Sequence, residues 1–212
     1  MTNVAVIGAA GKAGRAIVSE GLHRGFKMKS LVRNPERSDV LSDSDFCDAA
    51  QGDTVASAVS GADVVVVAIS PVPGDEKSLA NAVEEVLTGA DKAGVSRMIM
   101  VGGAGTLQIH SGALLMESEA FPEAALPTAT AHRFALDALR ASATDVDWVY
   151  ISPAAVFLPE GPMTGEYQVG DDMLLLDSEG KSQISYQDFA RALMDEVENP
   201  KHHRTRFTVA WA

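Results

Sequence analysis

Three glycines at fixed spacing carry the first chemical signal. Gly8, Gly11 and Gly14 stand in Gly8-Ala-Ala-Gly-Lys-Ala-Gly14, directly after the apolar run Val4 to Ile7. A short unbroken apolar run suits a strand buried on both faces of a parallel sheet. A helical pattern then runs to about Arg24, with Ala13, Ile17, Val18 and Leu22 on one face. A second apolar run, Met28 to Val32, closes a β-α-β unit of the usual length, about 30 residues. In that setting Gly8 lets the chain turn off the strand. Gly11 lets backbone amides approach a pyrophosphate with no Cβ in the way, and Gly14 lets the helix pack closely on the sheet. The helix start offers unpaired N–H groups and the positive end of its dipole to an anion. Gly8, Ala10, Gly11, Lys12, Ala13 and Gly14 are therefore the candidate diphosphate cradle.

Arg33 ends the second apolar run. At this position of a dinucleotide fold an acid bonds the 2′-hydroxyl of NAD, whereas an arginine suits the 2′-phosphate of NADP. Arg37 can add a second cation, and Glu36 is the nearby acid that argues for NAD. The charge logic favours NADP, with NAD possible. Ala68, Ile69 and Ser70 end the valine run Val64 to Val67, at the edge where doubly wound sheets bind ligands. Asp53, in Gly52-Asp-Thr54, reads locally as the N-cap of the next helix.

Candidates for proton transfer are fewer. Thr128 and His132 share a helix face at i, i+4 spacing. His132 ordinarily titrates near neutrality and could protonate a product. Thr106 follows the glycine-rich Gly102-Gly-Ala-Gly105. His202-His203 resembles a metal pair, but adjacent side chains point apart and no third ligand is near, so no metal site is expected.

These residues need a frame to position them. Apolar runs alternate with helical patterns: strands near 3–7, 27–32, 44–49, 63–69 and 97–101, and helices near 12–24, 53–60 and 76–93. That alternation gives an α/β fold, a doubly wound parallel sheet with helices on both faces. A helix at 128–142, a strand at 147–151, a helix at 185–198 and a strand at 205–210 follow. Ser185 is placed to cap that last helix with Asp188 at N3, and Asn199-Pro200 stops it. Segments 161–169 and 172–176 read as a small strand pair beyond the sheet. Residues 107–127, rich in Leu, Met and Phe, fit either a lid over an apolar substrate or a packed surface loop. One dinucleotide-binding domain over 1–212 is expected, its core at about 1–151 and a substrate-side extension at about 152–212.

The chain has 212 residues and a net charge of −12. Nucleic acid and anionic membranes repel such a surface, so neither is an expected partner. No apolar run approaches the roughly 20 residues a membrane span requires. Cys47 is the single cysteine, which forbids an intrachain disulfide and fits a reducing, cytoplasmic compartment; it reads as a small core residue. Monomer and homodimer both remain open.

Several segments together resemble the atypical short-chain dehydrogenase/reductases. Within them the chain is similar to the NmrA-like proteins and the NADH-flavin reductases of flavin/biliverdin reductase type. The residues that carry this are Gly8 to Gly14, Leu31-Val-Arg-Asn-Pro35, Gly52-Asp53, Val101-Gly-Gly-Ala-Gly105, Asp147-Trp148, Ile151-Ser-Pro153 and Arg206-Phe-Thr-Val-Ala210. The resemblance implies that Asp53 bonds the adenine amine. It also implies that the backbone at Pro153 and Ala154 meets the nicotinamide, with Gly102 and Gly103 beside the ribose. The Tyr-x-x-x-Lys dyad of the wider superfamily is missing: no tyrosine lies between Val101 and Tyr150, and no lysine between Lys92 and Lys181. A flavin or quinone accepts hydride and takes its proton from solvent, so it needs orientation more than acid catalysis. The expectation is an NAD(P)H-dependent oxidoreductase for such a planar acceptor, with Thr106 and His132 as catalytic candidates. Leu107, Phe157 and Tyr167 are the substrate candidates. The alternatives are a non-catalytic NADP sensor of NmrA type, which binds a partner protein, and an NAD(P)-dependent epimerase or dehydratase. Tyr150, flanked by apolar residues, is expected in the core.

Overall fold

The computed structural model describes residues 2–34 and 44–212. Pro35, Glu36 and Arg37 lie outside the described residues, and with them the second-cation reading of Arg37.

The first strand, β1 (Asn3–Ile7), leads into α1 (Lys12–His23) and β2 (Lys27–Val32). Next come β3 (Ser44–Phe46), α2 (Gly52–Val59), β4 (Val64–Val67), α3 (Ser78–Lys92) and β5 (Arg97–Val101). After three short 3-10 turns the chain forms α4 (Leu126–Ala141), β6 (Asp147–Ser152), β7 (Val156–Leu158) and β8 (Gln168–Gly170). It ends with β9 (Gln183–Ser185), α5 (Tyr186–Glu198) and β10 (Thr205–Ala210). The eight-stranded sheet runs β3-β2-β1-β4-β5-β6-β10-β8, parallel throughout except that β8 pairs antiparallel with β10.

Alternation along each strand divides the core. Ala5 and Ile7 face α2, α3 and α4, while Val4 and Val6 face α1 and α5. The four valines of β4 follow the same rule and are all buried, which is why the run shows no polar alternation. Each such side chain contributes roughly 1.5–3 kcal/mol on burial.

The order reverses between β1 and β4, so the crevice of this sheet opens between their C-terminal ends. Gly8 follows β1 there with φ of 85°, a conformation costly for any other residue, and a Cβ on it would strike the Ala68 carbonyl beyond β4. A Cβ on Gly14 would strike the Gly8 carbonyl, so α1 sits as close to its entry turn as a helix can.

The opposite edge is tied by charge. Buried Arg97, at the start of β5, pairs with Asp147 of β6, with Glu196 of α5 at 2.6 Å, and with the His202 carbonyl at 3.2 Å. The two adjacent histidines part as expected. His202 Nδ1 meets Glu196 at 2.8 Å and His203 Nδ1 meets Asp147 at 2.8 Å.

The strand pair expected at 161–176 forms differently. Gln168–Gly170 joins the main sheet on β10, and the separate small sheet is the parallel pair β7 and β9. The extension is thus woven into the core sheet rather than appended to it. Residues 107–127 pack as a loop. Gln108 donates its amide to the Asp172 carbonyl at 2.8 Å and accepts from the Leu174 amide at 2.8 Å. Among the described residues no helix is long and apolar enough to cross a membrane.

Candidate functional site

Two cavities lie end to end along the C-terminal edge of the sheet, of about 610 Å³ and about 520 Å³. Gly11, Ala68, Ile69 and Ser70 line both, so the glycine turn and the end of β4 form the saddle between them.

At the saddle, Gly11 caps α1, and Lys12, Ala13 and Gly14 occupy its first turn. Amides in a first turn have no acceptor within their own helix. A Cβ on Gly11 would lie 3.2 Å from the Gly8 carbonyl, and Lys12 and Ala13 line the inner cavity. A diphosphate fits this cradle of amides, one lysine and no carboxylate. Ala10 instead packs against the core cluster under α1, and Gly14 serves the close packing described above rather than lining either cavity.

The outer cavity is walled by Gly8, Arg33, Cys47 to Ala50 and, across from them, Ser78 to Ala82. Arg33 is exposed at its rim. Asp53, expected to bond adenine, does not reach this cavity. It points to solvent from the outer side of α2, where it pairs with Lys92 at 3.0 Å. Nor does it cap α2: Gln51 holds the N-cap position, and the Gly52 amide donates to Glu85 at 2.7 Å. Two acids line this cavity, Asp48 and Asp75; the Asp48 oxygens accept the Ala50 amide at 3.1 Å and the Gln51 side-chain amide at 2.7 Å. The reason is a strand that ends at Phe46, three residues sooner than the apolar pattern suggests. Cys47 is buried at the base, and burial with the nearby Asp48 pushes its thiol up to about 11, which makes it inert.

The inner cavity holds the rest of the expected cofactor residues: Gly102 and Gly103 from the exit of β5, and Pro153 and Ala154 from the exit of β6. Phe121, Pro122 and Ala125 form one wall, Thr128 and His132 of α4 the next, and Phe157 and Tyr186 the third. The rings of Phe157 and Tyr186 meet edge-on with centroids 3.9 Å apart. Tyr186 opens α5, whose start is anchored by buried Asp188. That carboxylate accepts from the Thr164 and Gly165 amides, each at 2.9 Å, and from the Trp211 indole at 2.7 Å. Ser185 caps the helix as expected, accepting the Asp188 amide at 3.1 Å.

Three expected site residues lie elsewhere. Thr106 and Leu107 are buried where the chain turns inward after β5, and the Thr106 hydroxyl accepts from Arg206 at 3.5 Å. Tyr167 packs over the α1–α5 face, and its hydroxyl donates to Asp195. None of the three lines the cleft. His132 does line it, yet its enclosure pushes the imidazole down to about 4. That enclosure favours the neutral imidazole over the charged acid expected from the sequence.

Sequence reasoning missed Asp48, Phe121 and Tyr186. The first could have been found from its place just after the third strand. Tyr186 could have been found as the residue after the Ser185 cap, since a helix N-terminus at a sheet's C-terminal edge points toward the crevice. Tyr150 is in the core as expected, but its hydroxyl accepts the Gly103 amide at 3.0 Å.

Comparison with known proteins follows the same lines. The NAD(P)H-binding family matches residues 8–200. A solved structure from Bacteroides thetaiotaomicron, described as a candidate epimerase, is 38% identical with a TM-score of 0.89, covering 99% of this chain and 97% of that one. One from Burkholderia pseudomallei, described as a candidate exported protein, is 36% identical with a TM-score of 0.89 and full coverage of both chains, 100%. One from Streptococcus pneumoniae, described as a candidate NADH-flavin reductase, is 31% identical with a TM-score of 0.85 and 100% coverage of both.

Proposed function

Because the chain belongs to the NAD(P)H-binding family, we propose that it is a reductase that passes hydride from NADPH to a small planar acceptor of the flavin or quinone class. The observation that carries this is the make-up of the inner cavity. Phe121, Phe157, Tyr186 and the imidazole of His132 line it, with no Tyr-x-x-x-Lys dyad and no carboxylate among its lining residues. Such walls hold a flat, apolar, reducible ring. They offer little to a keto alcohol, which needs a proton delivered as hydride arrives.

In this reading the amides at Lys12 and Ala13, with the Lys12 side chain, hold the diphosphate. Arg33 takes the 2′-phosphate, and the wall from Asp48 to Ala50 faces adenine in place of Asp53. Gly102, Gly103, Pro153 and Ala154 hold the ribose and nicotinamide. When bound, the reduced nicotinamide supplies a hydride. Tyr186 and Phe157 orient the acceptor and keep water from its face, and His132 bonds a polar atom on its edge. The proton that completes acceptor reduction comes from solvent. Asp48 is already engaged by Ala50 and Gln51, so it competes poorly for a ribose diol, which favours NADP over NAD. A cytoplasmic location fits a buried reduced thiol and a supply of NADPH.

Steady-state oxidation of NADPH against a panel of FMN, riboflavin, quinones and simple ketones tests the reading. Turnover with flavins or quinones and none with ketones supports it. Tight NADPH binding with no turnover would replace it by the sensor. Interconversion of a sugar nucleotide with the cofactor retained would replace it by the epimerase.

A further inference from the structure

The described site leaves one buried polar group without a task. Tyr150 sits on β6 with its ring wholly enclosed beneath the exit of β5. A Cβ on Gly102 would strike this ring, and one on Gly103 would lie 3.0 Å from the His132 ring. The two glycines, the phenol and the imidazole are therefore packed as one unit. The phenol oxygen lies 3.0 Å from the Gly103 amide, 3.2 Å from His132 Nδ1 and 3.3 Å from the His132 carbonyl.

The protons can be counted. The Gly103 amide can only donate, so the phenol oxygen accepts there. Burial pushes the hydroxyl well above its ordinary range, so it keeps its one proton. That proton goes to Nδ1 or to the His132 carbonyl. The carbonyl lies inside α4, where it already serves the helix ladder, and it is the longer contact. Nδ1 has no other partner among the described residues. A neutral imidazole carries one N–H, so an accepting Nδ1 puts that proton on Nε2. Nε2 is neither hydrogen-bonded nor a buried unsatisfied atom among the described residues, which leaves it open toward the cavity that His132 lines.

We propose that Tyr150 is a positioning residue: its hydroxyl accepts from Gly103 and donates to His132 Nδ1, so that His132 presents Nε2–H to the acceptor carbonyl in the inner cavity. The inference rests on the reductase reading for its occupant but not for its tautomer. A neutral Nε2–H is far too weak an acid to give up its proton. It stabilises the negative charge that grows on the acceptor oxygen as hydride arrives. One hydroxyl thus braces both the Gly102–Gly103 turn, beside the nicotinamide, and the donor opposite it. This is how a chain without the tyrosine–lysine dyad keeps a fixed donor at the reacting centre.

The test is nitrogen NMR of ligand-free protein labelled with 15N-histidine, with His132 assigned by its absence in His132→Ala. Wild type is expected to show protonated Nε2 and bare Nδ1, and Tyr150→Phe a mixture of tautomers. With flavin as acceptor, Tyr150→Phe should lower kcat roughly tenfold while the KM for NADPH stays within about twofold, and adding His132→Ala should cost little more, as expected for residues that act as a unit. A protonated Nδ1 in wild type, or an unchanged tautomer in Tyr150→Phe, overturns the proposal. The wild-type spectrum decides even if the variant folds poorly. A wild type that shows the expected tautomer but never oxidises NADPH sinks the reductase reading alone.

Discussion

Replacing Arg33 by alanine probes the cofactor preference. Arg33 stands at the rim of the outer cavity, where β2 ends and the adenosine ribose would lie. A charge-assisted arginine–phosphate bond contributes about 1.5–3 kcal/mol. Arg33 is exposed, so solvent screens it and the lower figure applies. A loss of about 1.5 kcal/mol weakens NADPH binding roughly tenfold. NADH has no 2′-phosphate, so its affinity should move by less than about twofold. Fluorescence titration of both reduced nucleotides against both proteins gives the four constants. The NADPH preference of wild type should also shrink as salt rises from about 0.01 M to about 1 M, since exposed charge pairs are screened over that range. Equal affinities for the two nucleotides in wild type, or equal losses in the variant, refute the assignment.

Four other outcomes follow from the same geometry. Asp48→Ala should weaken NADPH binding about three- to tenfold by releasing the Ala50 amide and the Gln51 side chain that shape the wall facing adenine, whereas Asp53→Ala should leave the titration unchanged. Gly8→Ala places a side chain at φ of 85° against the Ala68 carbonyl, and should cost about 2 kcal/mol or more, seen as a fall in Tm of about 4–8 °C. His132 is held down at about 4; an unfolded chain binds a proton near pH 6.5 that the folded one refuses, so stability rises with pH across that window, and urea midpoints should lose this slope in His132→Gln. Asp188 is held below its ordinary 3.8: burial would raise it, but the Thr164 and Gly165 amides and the Trp211 indole outweigh that. Its contribution is present above about pH 4 and is lost as pH falls through the depressed folded value, so Asp188→Asn should flatten the acid limb of the same urea series.

Local patterns made the frame legible. The bounds of β1, β2, β5 and β10 match to the residue; for β1 and β5 the reason is an apolar run buried between two helical layers, with no polar side to blur its ends. The glycine turn was readable for a related reason, since Gly14 answers to the Gly8 carbonyl within the same short unit, although the Ala68 carbonyl that faces Gly8 lies beyond β4. The site's far wall was not. Tyr150 and His132 meet across 18 positions, and Gln108 and Asp172 across more, by pairings that no local period encodes. Asp53 misled because a Gly-Asp pair before a helix looks like both a cap and a ligand. Only the early end of β3 shows that Asp48 holds the sheet's edge. Tyr167 misled because aromatic residues in a late segment suggest a substrate wall, while this one packs against the α1–α5 cluster with its hydroxyl on Asp195.

The account turns on a dinucleotide lying across the saddle between the two cavities. A crystal structure of the protein with NADP+ tests this most directly. The diphosphate should lie within hydrogen-bond distance of the Lys12 and Ala13 amides, with adenine beside Asp48 to Ala50 and nicotinamide between Gly103 and Pro153. A saddle without nucleotide at saturating NADP+, or a nucleotide bound on another face, would contradict it.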